Sequence, residues 1–336
     1  MKKAYLWDSK PDNKTQCYLC SHYCLIEAGD KGLCGVRQNK DGELFTLNYG
    51  KAIAANIDPI EKKPLYHFLP GSKILSIAAA GCNFRCEFCQ NWRISQITKG
   101  ESGQVVGQDF PPEDVVAEAE QANCPSIAYT YTEPTIFFEY AADTAELAQK
   151  KQIRNVFVSN GFQTDRTIEK MAGLIDAVNI DLKSFSDQYY REVCGAKLKP
   201  VLNSIKNMHQ RGIWVEVTTL IVPEQNDDPE ELSELAEFIA NVSPDIPWHI
   251  SRFTPQYKMS DSYPTPKDTL LTAAEIGEEA GLNYIYVGNV SIDKYRHTYC
   301  PECGQKVIDR TDYIGDCLLE DGRCPSCSTN IPGVFA

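Results

Sequence analysis

No apolar run in this chain of 336 residues approaches the roughly 18 residues that a membrane-spanning helix needs. That absence excludes a transmembrane anchor of the helical kind. The N-terminal stretch MKKAYLWDSKPDNK has lysines but no apolar segment behind them, so it does not read as a secretory signal. The expected location is therefore the cytoplasm, where thiols stay reduced. Positive charge is also in short supply. There are 33 Lys and Arg against 46 Asp and Glu, a formal net charge of −13, and the sequence pI is about 4.9. Such a mean field repels nucleic acid and anionic membranes. The one short basic cluster, EKK at 61–63, reads as solvated side chains.

Cysteine, by contrast, is abundant, with 14 in the chain, and it is grouped. Cys17, Cys20, Cys24 and Cys34 form one set, Cys82, Cys86 and Cys89 a second, and Cys300, Cys303, Cys317, Cys324 and Cys327 a third. Cys124 and Cys194 stand alone. In a reducing compartment a disulfide framework is disfavoured, which leaves metal binding as the leading use.

Between the outer sets the chain has a regular rhythm. Strand-like runs at Ile74–Ala79, Ser126–Thr130, Asn155–Val158, Ala177–Asp181, Trp214–Leu220, Trp248–Arg252 and Tyr284–Val287 alternate with helix-length segments such as DPEELSELAEFIANV. Alternation of this kind implies parallel strands joined by right-handed crossovers. The expected fold is α/β, a partial or complete (β/α) barrel over 73–295. A Cys-rich segment over 1–72 precedes it and a metal-binding tail over 296–336 follows. In such a barrel the chemistry gathers at the C-terminal ends of the strands. The middle cysteine set directly follows the first strand. Polar groups end the later ones, at Thr132 and Glu133, Ser159 and Asn160, Asp181 and Lys183, Thr218, and Arg252. His249, Arg252, Tyr257 and Lys258 follow or lie on a late strand and are candidates to face a substrate.

Three thiolates at the spacing C-x3-C-x2-C can hold three irons of a [4Fe–4S] cluster and leave the fourth iron open. A zinc site lacks a fourth ligand nearby. The stretch GCNFRCEFCQNW resembles the signature of the radical S-adenosylmethionine (SAM) superfamily, including Phe88 just before the last cysteine. That resemblance implies SAM bound at the open iron and cleaved reductively to a 5′-deoxyadenosyl radical, which takes a hydrogen from a substrate. YTYTEPT at 129–135, SNGF at 159–162, IDLKSFSDQYYREVCG at 180–195 and TTLIVPEQND at 218–227 resemble the glycyl-radical-activating branch. The resemblance places Thr132 and Glu133 at the SAM amino group. Ser159, Asn160, Asp181, Lys183 and Thr218 fall where relatives contact SAM or a nearby monovalent cation. It also implies anaerobic oxidoreductase chemistry and a one-electron donor such as reduced flavodoxin or ferredoxin. Two departures stand out: there is no arginine near Thr218, and no ferredoxin-type cysteines follow the cluster loop.

The ends of the chain carry the other cysteines. Two C-P-x-C knuckles, Cys300/Cys303 and Cys324/Cys327, match a zinc ribbon or rubredoxin-like site. Zinc is the expected metal, because nothing marks this site for electron transfer, and Cys317 falls outside the knuckle spacing. Cys17, Cys20, Cys24 and Cys34 could hold zinc or a second Fe–S cluster, with His22 beside them. With both ends included, the whole chain resembles the radical SAM member of the AmmeMemoRadiSam group. Its substrate is open in the sequence: a partner protein, or a small molecule. A non-catalytic metal or electron carrier would have no use for polar groups at successive strand ends.

Overall fold

The structure is a computed structural model that describes residues 1–100, 103–312 and 314–335. Its centre is an eight-stranded sheet. Strand β1 (Ala54–Pro59) runs antiparallel to β2 (Lys73–Ala78). From β2 onward every neighbour is parallel and in chain order: β3 (Ser126–Tyr129), β4 (Arg154–Ser159), β5 (Ala177–Asp181), β6 (Trp214–Ile221), β7 (Trp248–Arg252) and β8 (Ile285–Gly288). Strands β1 and β8 lie at opposite edges and do not pair, so the barrel is partial. All seven strands expected from the sequence are present. The antiparallel β1 is additional, and the expected boundary at 72/73 falls between β1 and β2.

Helices α1 (Pro112–Gln121), α2 (Phe138–Lys150), α3 (Asp165–Met171), α4 (Leu198–Gln210), α5 (Pro229–Val242) and α6 (Lys267–Glu279) make the crossovers. In α4, Leu198, Val201, Ile205 and Met208 recur at helical spacing and are buried against the sheet. Asp228 caps α5 by accepting from the backbone of Glu230 and Glu231, and Pro229 occupies the first helical position where no amide is needed.

The barrel interior is filled at its N-terminal end. Ile60, Leu65 and Phe68, from the link between β1 and β2, pack against Ile74, Ala128, Val156 and Ala177. Above this plug, Glu216 accepts from the backbone amides of Tyr66 and His67 and from the Trp214 indole, and His249 Nε2 lies 2.6 Å from its carboxylate. The tail forms a small three-stranded sheet; its Val307 and Ile308, with Ile331 beyond it, pack with Tyr66, Tyr284 and Tyr286. The buried Arg310 joins the two parts by donating to the Tyr66 carbonyl and lying 4.1 Å from the centre of the Tyr66 ring. Among the described residues no helix is long and apolar enough to cross a membrane.

Candidate active site and metal centres

Strand β2 delivers Cys82, Cys86 and Cys89 to the C-terminal mouth of the barrel. Gly81 starts the loop with φ of +109°, and a Cβ there would stand 2.9 Å from the Thr98 hydroxyl, so the tight exit from the strand requires glycine. The three thiols line a cavity of about 610 Å³ together with residues from the ends of β3 to β7. Burial pushes the Cys82 and Cys89 thiols up; Cys86 is raised first by its contact with Cys194 and then by burial. A metal cluster bound here favours the thiolates against that burial. Their sulfurs are not all within 4.8 Å of one another, in contrast to the tail cysteines. Thiolates that each sit on a different iron of a cluster need that wider spacing, so the donor set fits a [4Fe–4S] cluster.

The polar strand ends converge on the same cavity, and Thr132, Glu133, Ser159, Asn160, Asp181, Lys183, Thr218 and Phe88 all line it. Glu133 is 1% exposed and ties two strands together. Its Oε1 accepts from the Thr135 amide (3.0 Å), the Thr135 hydroxyl (2.5 Å) and the Ser159 hydroxyl (2.8 Å), while Oε2 accepts from the Asn160 amide (2.8 Å). Burial raises its carboxyl against the pull of these donors. A carboxylate offers about four acceptor positions, so Oε2 keeps one for a ligand in the cavity. Thr132 donates to the Ala79 carbonyl just before the loop. Asn160 Nδ2 donates to the Asn83 side chain at 2.8 Å, which fixes the residue next to Cys82.

Across the mouth, Lys183 Nζ is 2.9 Å from Asp181 and 5.6 Å from the centre of the Phe88 ring, which stacks on Tyr189. Burial disfavours the Lys183 ammonium, but Asp181 and the nearby sulfurs outweigh it and hold its pKa well above the usual range. The Thr218 hydroxyl donates to Asn179 at 2.8 Å.

Several expectations do not hold. His249 is 4% exposed and bonds Glu216 in the barrel interior, with Tyr286 stacked on it, so it does not face the cavity. Arg252 donates to the Thr265 carbonyl, while Tyr257 stacks on Trp92 and Lys258 pairs with Glu87, outside the cavity on the cysteine loop. The EKK cluster is not a solvated patch: Lys63 has a side chain 2% exposed and pairs with Asp58 at 2.6 Å.

Lys63 and Tyr131 also line this cavity, a feature that sequence reasoning missed. The Tyr131 hydroxyl donates to Asp58, and Lys63 lies over the Tyr131 ring. Burial lowers Lys63 to about 8, only partly countered by Asp58. For Asp58, burial acts upward, but bonds from Lys62, Lys63 and Tyr131 prevail and hold it well below the usual carboxylate range. A lysine five residues beyond a strand-borne aspartate was the available signal, but only packing shows that the link after β1 turns it inward.

The tail cysteines Cys300, Cys303, Cys324 and Cys327 bring their sulfurs within 4.8 Å of one another, with Cys300–Cys327 at 3.5 Å and Cys303–Cys324 at 3.6 Å. Four thiolates about 2.3 Å from one tetrahedral ion stand about 3.8 Å apart, so this group can hold a metal. Cys317 packs with the tail core, apart from the four. Cys17, Cys20, Cys24 and Cys34 surround a separate small hollow with Arg37 and Asn83.

A parallel partial barrel, with three thiols after its first strand and a carboxylate knot beside them, defines a class. Residues 76–239 match a family model described as the radical SAM superfamily, and the chain belongs to that superfamily. Within it, the chain falls on the activating-enzyme-like branch. It is 24% identical to pyruvate formate-lyase 1-activating enzyme of Escherichia coli strain K12 over 231 residues, 63% of this chain and 91% of that enzyme. It is 41% identical over 335 residues to the uncharacterized protein MJ0808 of Methanocaldococcus jannaschii, spanning 98% of this chain and 99% of that relative. The crystal structure of a radical SAM methyltransferase from Sphaerobacter thermophilus shares the fold, with a TM-score of 0.51 at 12% identity, over 66% of this chain and 68% of that one.

Proposed function

We propose that this enzyme cleaves SAM reductively at a [4Fe–4S] cluster held by Cys82, Cys86 and Cys89, and that the product radical takes a hydrogen from a substrate entering the same mouth. The observation that carries this reading is the Glu133 knot beside the three thiols, with one acceptor position left on a buried carboxylate. The cluster, when bound, supplies the electron and an open iron for the amino and carboxylate groups of SAM. The chain's own residues do the rest. Glu133 offers its acceptor to the methionyl ammonium, and Ser159 and Asn160 hold Glu133 in place. Lys183, kept cationic by Asp181, and the Thr218 hydroxyl are placed to orient a carboxylate or a cation. Phe88, wedged between Lys183 and Tyr189, excludes water from the thiol side. The paired Lys63 and Tyr131 form the wall where the substrate is received.

The substrate is either a partner protein, as the printed name of the Escherichia coli relative suggests, or a small molecule. The tail is proposed to hold zinc as a structural clamp. One thiol set lies in each of the parts 1–72, 73–295 and 296–336, and the enzyme is proposed to act in the cytoplasm with reduced flavodoxin or ferredoxin. The test is an alanine substitution at Cys82, Cys86 or Cys89, which should abolish both the SAM-responsive paramagnetic signal and 5′-deoxyadenosine formation. Continued SAM cleavage in any of the three removes the assignment.

A further inference from the structure

We propose that Cys17, Cys20, Cys24 and Cys34 hold a second [4Fe–4S] cluster, which stands on the path of the electron into the SAM site. The identity of this metal group is independent of the radical reading; its role on the electron path rests on it.

Spacing separates the two candidate metals. A single zinc draws four thiolates to about 3.8 Å from one another, as the tail cysteines are arranged. The N-terminal four are not gathered in that way: among the described residues, no three of them have their sulfurs all within 4.8 Å. They stand around a small hollow instead. Thiolates on separate irons of a cluster stand apart by necessity. Cys17 and Cys34 are 5% and 7% exposed, so this wider spacing is built into the packed interior.

Two unused donors show that the hollow calls for anionic sulfur acceptors. Arg37 is 2% exposed; its terminal nitrogens are bound by the Glu139 carboxylate and the Tyr5 carbonyl, but its Nε has no partner among the described residues. Asn83 is 4% exposed, and its Nδ2 likewise has no partner. Both residues line the hollow. A buried N–H without an acceptor costs about 1–3 kcal/mol, so its retention calls for an acceptor that belongs there. Bridging sulfides and thiolates of an anionic cluster accept such bonds, and hydrogen bonds to the sulfurs help set a cluster's potential. Zinc-bound thiolates accept them as well, so it is the sulfur spacing that separates the two metals.

Position supplies the role. His22 lies between Cys20 and Cys24, and its Nε2 is 2.9 Å from the carbonyl of Asn83, the residue next to Cys82. The N-terminal loop that carries Cys20 and Cys24 is therefore bonded through His22 to the residue beside Cys82. A reduced one-electron donor protein gives one electron to the N-terminal cluster, and the same electron leaves toward the SAM site. No bond forms or breaks, and no proton moves.

The experiment is anaerobic purification of the Cys82→Ala/Cys86→Ala/Cys89→Ala variant, with iron, acid-labile sulfide and zinc measured together. About four irons and four sulfides are expected to remain, with a paramagnetic signal on reduction that SAM does not alter. Zinc without sulfide overturns the proposal; iron without sulfide does too, since a rubredoxin-like iron in the tail would account for it. If that variant does not fold, the native protein decides: about eight sulfides support the second cluster and about four overturn it. A Cys20→Ser/Cys24→Ser variant reads the role. It should keep the SAM-responsive signal with dithionite but lose that signal when reduced flavodoxin is the donor. An undiminished signal with flavodoxin overturns the electron path. Failure of the radical reading looks different, since the native signal would then ignore SAM altogether.

Discussion

Replacing Glu133 by glutamine separates ligand binding from scaffold in one residue. The amide oxygen can keep the three donors on the Oε1 side, from Thr135 and Ser159. The amide nitrogen then faces the Asn160 amide, donor against donor, and has nothing to offer an ammonium. Leaving the buried Asn160 amide unmatched costs about 1–3 kcal/mol of stability, or several degrees in Tm for a domain of this size. Hydrogen bonds to charged groups contribute about 1.5–3 kcal/mol, so SAM affinity should fall about 10- to 100-fold. Iron and sulfide content should be unchanged, because no thiol contacts Glu133 directly. The assay is SAM titration of the reduced protein followed by electron paramagnetic resonance, with melting measured on the same samples. Ser159→Ala loosens the same knot while keeping the carboxylate, so its titration should shift by less than about tenfold. An unchanged SAM titration for Glu133→Gln, together with a lowered Tm, refutes the reasoning, for Glu133 would then be a strand tie only.

Cys300→Ala or Cys327→Ala should release zinc and lower Tm while leaving the cluster absorption in place, since a structural zinc stabilises its module by several kcal/mol or more. Full stability combined with lost electron input would instead mark the tail as a relay. Acid should weaken the fold through His67, which burial lowers from 6.5 to about 4. The unfolded chain takes up this proton first, so its contribution is complete above pH 6.5 and is lost as pH falls toward 4. The loss reaches about 3 kcal/mol. Denaturant melts at pH 7 and pH 4.5 should therefore diverge less for His67→Gln than for the native chain, and parallel pH profiles would show that His67 does not titrate this way.

The local features of this protein were legible in its residues because they depend on neighbours in the chain. The spacing of Cys82, Cys86 and Cys89 is set within one loop, the tail knuckles by two short turns, and the seven parallel strands by alternating strand and helix periods. Long-range placement was not legible in the same way. The polar strand ends meet at one mouth because parallel register aligns Tyr129 with Ile77, and Asp181 with Thr218. His249 was expected at that mouth, but its ring is bonded to Glu216 and stacked on Tyr286 in the interior. Lys63 was expected in water, but β1 adds antiparallel to the barrel edge and carries the link that follows into the interior. Sulfur separation is the clearest case. The three cysteine groups are all close-spaced runs in the chain, and only packing draws the tail four together and holds the N-terminal four apart around a hollow. Sequence determines which ligands are available, because side-chain chemistry is local. Tertiary structure decides how far apart they stand, because that distance is set by elements that meet only when the chain folds.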